Sequence, residues 1–232
     1  MKQLPFRVWC IWVGGQEMTE PRRACLQSIR ENIGVPVTLI TDDTLHEYVV
    51  KGYPIHPGYT YLSAVTKGDY IRTYMMHHYG GGYTDIKHTQ QSWLPYFEEL
   101  ANNEQKWVCG YKEVNEGGVA CLGPEEHELQ AELRARWKEL VGNCAFVCKS
   151  HTPFTEQWIQ NLHRVMDSLL PKLQASPAKH PRDALGHWIH GSYSTFPIRW
   201  AQIAGCIFHP LCLQYSDRLL NTLPEPKFTE YM

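Results

Sequence analysis

FRVWCIWVGG, residues 6–15, is an unbroken apolar run closed by two glycines. Apolar side chains on consecutive residues suit a strand covered on both faces, and paired glycines suit the tight loop that follows it. In residues 21–32, Ala24, Cys25 and Ile29 recur at helical spacing with arginines between them, and Pro21 fits the first turn of a helix. VPVTLITDD, residues 35–43, is then a second strand that ends in acid. Strand, helix, strand in this order predicts parallel strands joined by a right-handed crossover. That is the opening of an α/β fold with a mostly parallel central sheet flanked by helices.

The remainder extends the same pattern. A Gly/Pro/Tyr-rich loop (52–62) leads to a helix at about 63–79, which three glycines at 80–82 break. YTDIKHT (83–89) alternates as a strand, WLPYFEEL (93–100) reads as a short helix and KWVCGYKE (106–113) as a strand. An amphipathic helix over 127–140, a strand at 143–150 and a long helix over 152–170 follow. Trp158, Leu162, Val165 and Leu169 form the apolar stripe of that last helix. A Pro/His/Gly-rich loop (176–194), an amphipathic piece (196–205) and a last short strand, CIFHP (206–210), complete the order. No repeat or linker divides the chain, so one domain is expected over 1–232.

The 232 residues are 43% hydrophobic, 12% aromatic and 20% charged, which excludes disorder. Lys and Arg number 22 against 24 Asp and Glu, a net charge of −2. Such a balance offers no field to attract nucleic acid or anionic lipid, so any phosphate-bearing ligand must be held by local groups. No stretch approaches the roughly 20 apolar residues of a membrane span, and MKQLPFR lacks the marks of a secretory signal. A cytoplasmic protein with no membrane span and no nucleic-acid partner is expected. The eight cysteines contain no C-x-x-C pair and read as small buried hydrophobes of a reducing compartment, with Cys144 and Cys148 on one face of a strand.

The informative stretch is AVTKGDYIRTYMMHHYGGGYTDIKHT, residues 64–89. Asp69 and Arg72 stand three apart and share a helix face opposite Ile71, Met75 and Tyr79. A surface ion pair would account for them at roughly 0–1 kcal/mol. The three glycines that follow leave backbone bare where a ligand could approach it. Alternation on the next strand sets Tyr83, Asp85 and Lys87 on one side, near the carboxyl ends of strands where open sheets bind ligands.

GDYIRTYMMHHYGGGYTDIK, with CIWVGG before it, resembles the sugar-binding region of glycosyltransferases of the GT-A fold. That grouping includes capsular-polysaccharide synthesis enzymes, yeast mannosyltransferases and the glucosylating clostridial toxins. The resemblance is specific over residues 8–89. It implies a nucleoside-diphosphate sugar donor (UDP- or GDP-type), a glycan or polysaccharide acceptor, and Mn²⁺ or Mg²⁺. It also implies a donor-binding part at about 6–90 and an acceptor-side part at about 91–232. Trp12 resembles the aromatic that stacks on the base, with Val13 and Gly14 beside it, although core packing would explain a Trp there equally. Asp69 resembles the carboxylate that takes hydrogen bonds from donor-sugar hydroxyls, and Arg72 a cation reaching the sugar or the diphosphate. Asp85 resembles the first acid of an Asp-X-Asp metal motif, with Gly81 and Gly82 allowing backbone contact.

Lys87 departs from the pattern, standing where the family has the second Asp. An ammonium roughly 5 Å from a dication is repelled by about 7 kcal/mol at an effective dielectric of about 20, and by about 2 kcal/mol with water-like screening. Either Lys87 turns to the phosphates as a fixed positive charge while Asp85 and other groups hold the metal, which is the preferred reading, or the metal matters less, or the site is catalytically dead. The resemblance suggests that a residue of the last third completes the metal shell. His187, His190 and His209 are the candidates, His190 first. It also implies a sugar-facing role for Asn143. Glu113 and Glu116, beside a Gly-Gly loop, are the carboxylates available as a general base, although solvated loop charge would explain them too. The alternatives are a non-catalytic sugar- or nucleotide-binding module and a nucleotidyltransferase. The latter would want a basic Gly-rich signature after the first strand, where VGGQEMTEP is acidic.

Overall fold

A computed structural model describes residues 2–189 and 191–229. Among the described residues eight strands form: β1 (Val8–Trp12), β2 (Val37–Thr41), β3 (Gly81–Thr84), β4 (Val108–Lys112), β5 (Val141–Cys148), β6 (Trp188–Ile189), β7 (Ser192–Tyr193) and β8 (Leu219–Leu220). The main helices are α1 (Glu20–Asn32), α2 (Ala64–His78), α3 (Leu94–Ala101), α4 (His127–Ala135), α5 (Pro153–Ala175) and α6 (Gly205–Gln214). Six strands make one sheet in the order β2-β1-β3-β5-β4-β8. The β2–β1, β1–β3 and β4–β8 pairs are parallel, and β5 alone runs against its neighbours β3 and β4. Helices cover both faces, as the apolar runs of β1 and β5 require. Cys25 and Ile29 of α1 pack with Phe97 of α3 on one face, and Tyr70 and Met75 of α2 with Trp158 of α5 and Phe208 of α6 on the other.

Caps support the helix boundaries. Ser63 Oγ accepts from Thr66 N–H at the start of α2, and Thr152 and Thr155 form a reciprocal capping box at the start of α5. Three expectations are corrected. CIFHP is not a strand: Ile207, Phe208, Leu211 and Cys212 are buried at helical spacing within α6, and β8 takes the sheet edge instead. The strand expected over 83–89 is shifted, since β3 begins in the glycines and ends at Thr84.

Cys144 and Cys148, finally, do not share a face. Cys148 lies in the cluster under α2 and α5, while Cys144 packs against the opposite one. The cause is a bulge. Gly110 pairs with Phe146 but Lys112 with Val141, so extra residues of β5 loop out between those two points. The bulged segment carries Asn143, and it lies beside the carboxyl end of β3, where Asp85 N–H donates to Cys144 O at 2.8 Å.

Candidate functional site

The carboxyl ends of β1 and β3 open into a cleft of about 590 Å³. Its walls bring together Trp12 and Val13 after β1, Asp69 and Arg72 of α2, Asp85 and Lys87 after β3, Asn143 of the bulge, and the segment 181–184 with 199–204. Residues from both 6–90 and 91–232 therefore line it.

Asp69 and Arg72 are not a surface pair. Arg72 is 4% exposed and its Nη2 lies 2.5 Å from Asp69 Oδ1. Its Nη1 donates to Asn143 O at 2.7 Å, and its guanidinium carbon sits 5.0 Å from the centre of the Tyr83 ring. With the Asn143 side-chain amide oxygen turned toward them, that oxygen accepts from Gly205 N–H (3.1 Å) and Arg72 Nη2 (3.3 Å). Burial pushes the Asp69 carboxyl up to about 6, opposed by Arg72 and reinforced by Asp85.

Asp85 lies just beyond β3, and a turn rather than strand alternation brings Lys87 back onto it. Asp85 Oδ2 accepts from Lys87 Nζ at 2.6 Å and Oδ1 from Tyr83 O–H at 2.7 Å. Burial alone would raise the Asp85 carboxyl, but Lys87 and Arg72 outweigh it and hold it below its ordinary value. Lys87 is pushed up to about 12, burial being overcome by Asp85. At neutral pH the pair is carboxylate and ammonium.

Trp12 is half-buried on the cleft wall, its indole N–H donating to Gln16 O at 2.6 Å. Gly14 lies outside the lining: its N–H and that of Gly15 donate to Asp42 Oδ2 at 2.7 and 2.9 Å, so those amides are already bonded. Gly14 has φ +101°, and a Cβ there would meet Ala64 Cβ at 2.4 Å, so glycine is required by the close approach of α2.

Gly81 and Gly82 do not reach the cleft. They occupy the amino end of β3, opposite the site, where a Cβ on Gly81 (φ +90°) would meet Arg7 O at 2.8 Å and one on Gly82 would meet Val8 Cγ2 at 2.8 Å. Their bare backbone admits the neighbouring amino-terminal segment, not a ligand. Glu113 also faces inward. It is 5% exposed, its Oε1 accepts from Val114 N–H at 2.9 Å, and its Oε2 stands 3.4 Å from His209 Nε2. A base must touch the proton it removes, and Glu113 does not line the cleft. His209, 1% exposed, accepts from Ala120 N–H through Nδ1 at 3.0 Å and is a packing histidine. His187 stacks on Trp200 with ring centres 5.5 Å apart. His190 lies outside the described residues, and Glu116 is in an exposed turn.

Sequence reasoning missed Arg22, Arg182, Arg199, Trp200 and Phe228, which all line the cleft. Arg22 Nη1 donates to Ile86 O at 2.6 Å, setting this guanidinium beside Lys87. Arg182 lies 5.9 Å from the centre of the Trp200 ring. Single arginines on a helix and in an irregular loop carry no local pattern, and folding alone assembles them.

The lining does not suit a divalent metal. Among the described residues no group of three His, Cys, Asp or Glu side chains could hold one. Asp85 already shares its oxygens with an ammonium and a phenol, and octahedral cations favour unpaired oxygen donors. An ion on Asp85 would stand about 4–5 Å from Lys87 Nζ, a repulsion of about 7–8 kcal/mol at an effective dielectric of about 20.

Residues 1–86 match the family model described as capsular polysaccharide synthesis protein. The matched stretch runs from before β1 through Asp85 and so takes in Trp12, Asp69 and Arg72. It supports a relationship to that family and a transferase-like role in polysaccharide synthesis. Among curated proteins, none matches the chain at a significant level.

Proposed function

We propose that the protein is a glycosyltransferase that moves a sugar from a nucleoside-diphosphate sugar to a glycan or polysaccharide acceptor. The observation that carries this reading is the convergence of the Asp69–Arg72 and Asp85–Lys87 pairs in one cleft with Trp12 at the carboxyl ends of parallel strands. Trp12 offers a ring face to the base. Asp69 accepts hydrogen bonds from sugar hydroxyls, and Arg72 fixes that carboxylate while Asn143 O and the Tyr83 ring fix Arg72. Arg22, Arg182 and Arg199 supply the local positive charge that a chain of net −2 must concentrate to hold a diphosphate. Trp200 at the outer wall, and the exposed Trp188 and Tyr193 rings of the β6–β7 hairpin, packed edge-on at 4.9 Å, give flat apolar faces on which acceptor sugars stack.

In the transfer the anomeric C–O bond to the diphosphate breaks and its electron pair stays on the phosphate oxygen. The acceptor hydroxyl oxygen bonds to the anomeric carbon, and its proton leaves to water or base. Charge grows on the departing diphosphate, and the cleft cations stabilise that growth in place. A cytoplasmic setting fits such donors, and no helix among the described residues is long and apolar enough to cross a membrane.

The test is donor turnover. The full chain incubated with a panel of UDP- and GDP-sugars should release nucleoside diphosphate, and Asp69→Asn, which keeps an acceptor for Arg72, should abolish release, with circular dichroism checking the fold. If no donor is cleaved and calorimetry detects none bound, the reading fails, and a binding module for another ligand takes its place.

A further inference from the structure

We infer that Lys87 is the fixed cation that meets the diphosphate in this cleft, so that the protein binds its donor without a divalent metal ion. The inference rests on the donor reading above. It begins from how Lys87 is held. The residue is 5% exposed, its Nζ lies 2.6 Å from Asp85 Oδ2 and 5.0 Å from the centre of the Phe228 ring, and it also faces the Cys144 thiol. A surface lysine could swing aside for an incoming cation. This one is clamped from several sides, and the Asp85 oxygens a metal would need are occupied by it and by Tyr83 O–H.

Charge balance points the same way. Among the described residues the lining holds five cationic side chains, Arg22, Arg72, Lys87, Arg182 and Arg199, against the carboxylates Asp69, Asp85 and Asp183. Asp69 is paired with Arg72 and Asp85 with Lys87. Asp183, also in the lining, accepts from the Ser194 hydroxyl and from Lys179 N–H (2.9 Å). The excess is two positive charges, and the diphosphate of a nucleotide sugar carries about two negative ones. The site therefore brings its own counter-charge, and Arg22, hydrogen-bonded to the carbonyl next to Lys87, places a second cation at the same spot. When the anomeric C–O bond breaks, the charge left on the diphosphate is met by side chains already in place, with no proton to deliver.

The experiment is calorimetry on the full chain with UDP-glucose, GDP-mannose, UDP and GDP, each in excess EDTA, in Mn²⁺ and in Mg²⁺. The expected result is that the nucleotides which bind do so within about twofold in all three media, a difference under about 0.5 kcal/mol. Lys87→Ala should weaken binding about tenfold or more in every medium, while Lys87→Arg stays within a few-fold. Circular dichroism and melting establish that the variants fold. Should either misfold, the wild-type comparison in EDTA decides by itself. Wild-type binding that appears with Mn²⁺ or Mg²⁺ and is lost in EDTA overturns the role given to Lys87 and leaves the donor reading intact. No binding in any medium overturns both.

Discussion

Asp69 gives a pH signature that separates recognition of the sugar from recognition of the nucleotide. Its carboxyl, raised by burial to about 6, must be ionised to accept hydrogen bonds from sugar hydroxyls. With a midpoint near 6, about nine-tenths is ionised at pH 7 and about one-tenth at pH 5. Affinity for a nucleotide sugar, divided by affinity for the matching nucleoside diphosphate, should therefore fall about tenfold from pH 7 to pH 5, or about 1.4 kcal/mol. The division removes any titration that affects the diphosphate equally. Calorimetry at pH 5, 6, 7 and 8 on the wild type and on Asp69→Asn measures it, and the variant should show a flat, uniformly low ratio. A wild-type ratio that does not change with pH, or the same fall in Asp69→Asn, would refute the assignment of the sugar hydroxyls to Asp69.

Stability should run the other way. A carboxyl whose folded value lies above the unfolded 3.8 contributes stability that is complete below about pH 3.8 and lost as pH rises through about 6. The cleft thus holds a charge that folding disfavours.

Arg72→Met should lower stability by about 3–5 kcal/mol in urea titrations at pH 8, because it leaves Asp69 buried without its cation. Loss of the same size at pH 5, where Asp69 is protonated, would contradict that cause. Gly81→Ala should cost about 1–3 kcal/mol through its φ of +90° and the Arg7 carbonyl, while the folded fraction binds nucleotide with unchanged affinity. A drop in affinity there would return the glycines to the site. His78, lowered to about 4 by burial and by His77, His151 and His163, belongs to a histidine group that includes His77, itself 3.5 Å from Glu156. Its neutral form is the one the fold favours, so its contribution is present above about pH 6.5 and is lost as pH falls toward 4. Because Asp69 acts in the opposite sense over the same range, the check is the difference between proteins: melting temperature measured at pH 5 relative to pH 7 should be higher in His78→Phe than in the wild type.

The order of strands and helices through residue 175 was legible in the sequence because burial imposes a period. β1, α1 and β2 come from a solid apolar run, an i, i+4 stripe and a second apolar run, and each pattern has one stable packing. The pair at 69/72 was legible too, since three residues along a helix bring side chains together locally, whereas 85 and 87 were legible only as residue types, their ion pair being made by the turn after β3. CIFHP is a helix and not the expected strand because a short run of three apolar residues before His-Pro suits either element, and α5 and β5 decide the matter by the surface they leave for α6. The GGG run shows the same limit: bare backbone in sequence is equally suited to a ligand or to a neighbouring strand, and here the amino-terminal segment occupies it.

What sequence alone determined was the mostly parallel sheet and the residue types at the carboxyl ends of its strands, because both follow from periodicity over a few neighbours. Tertiary structure decided the electrostatics. Arg22, Arg182 and Arg199 lie far apart in the chain, and the β5 bulge that presents Asn143 depends on where β4 pairs. A charge carries influence only through space. The meeting of Lys87 with Asp85, Tyr83 and Phe228 therefore exists once the chain has folded and is absent from any local pattern.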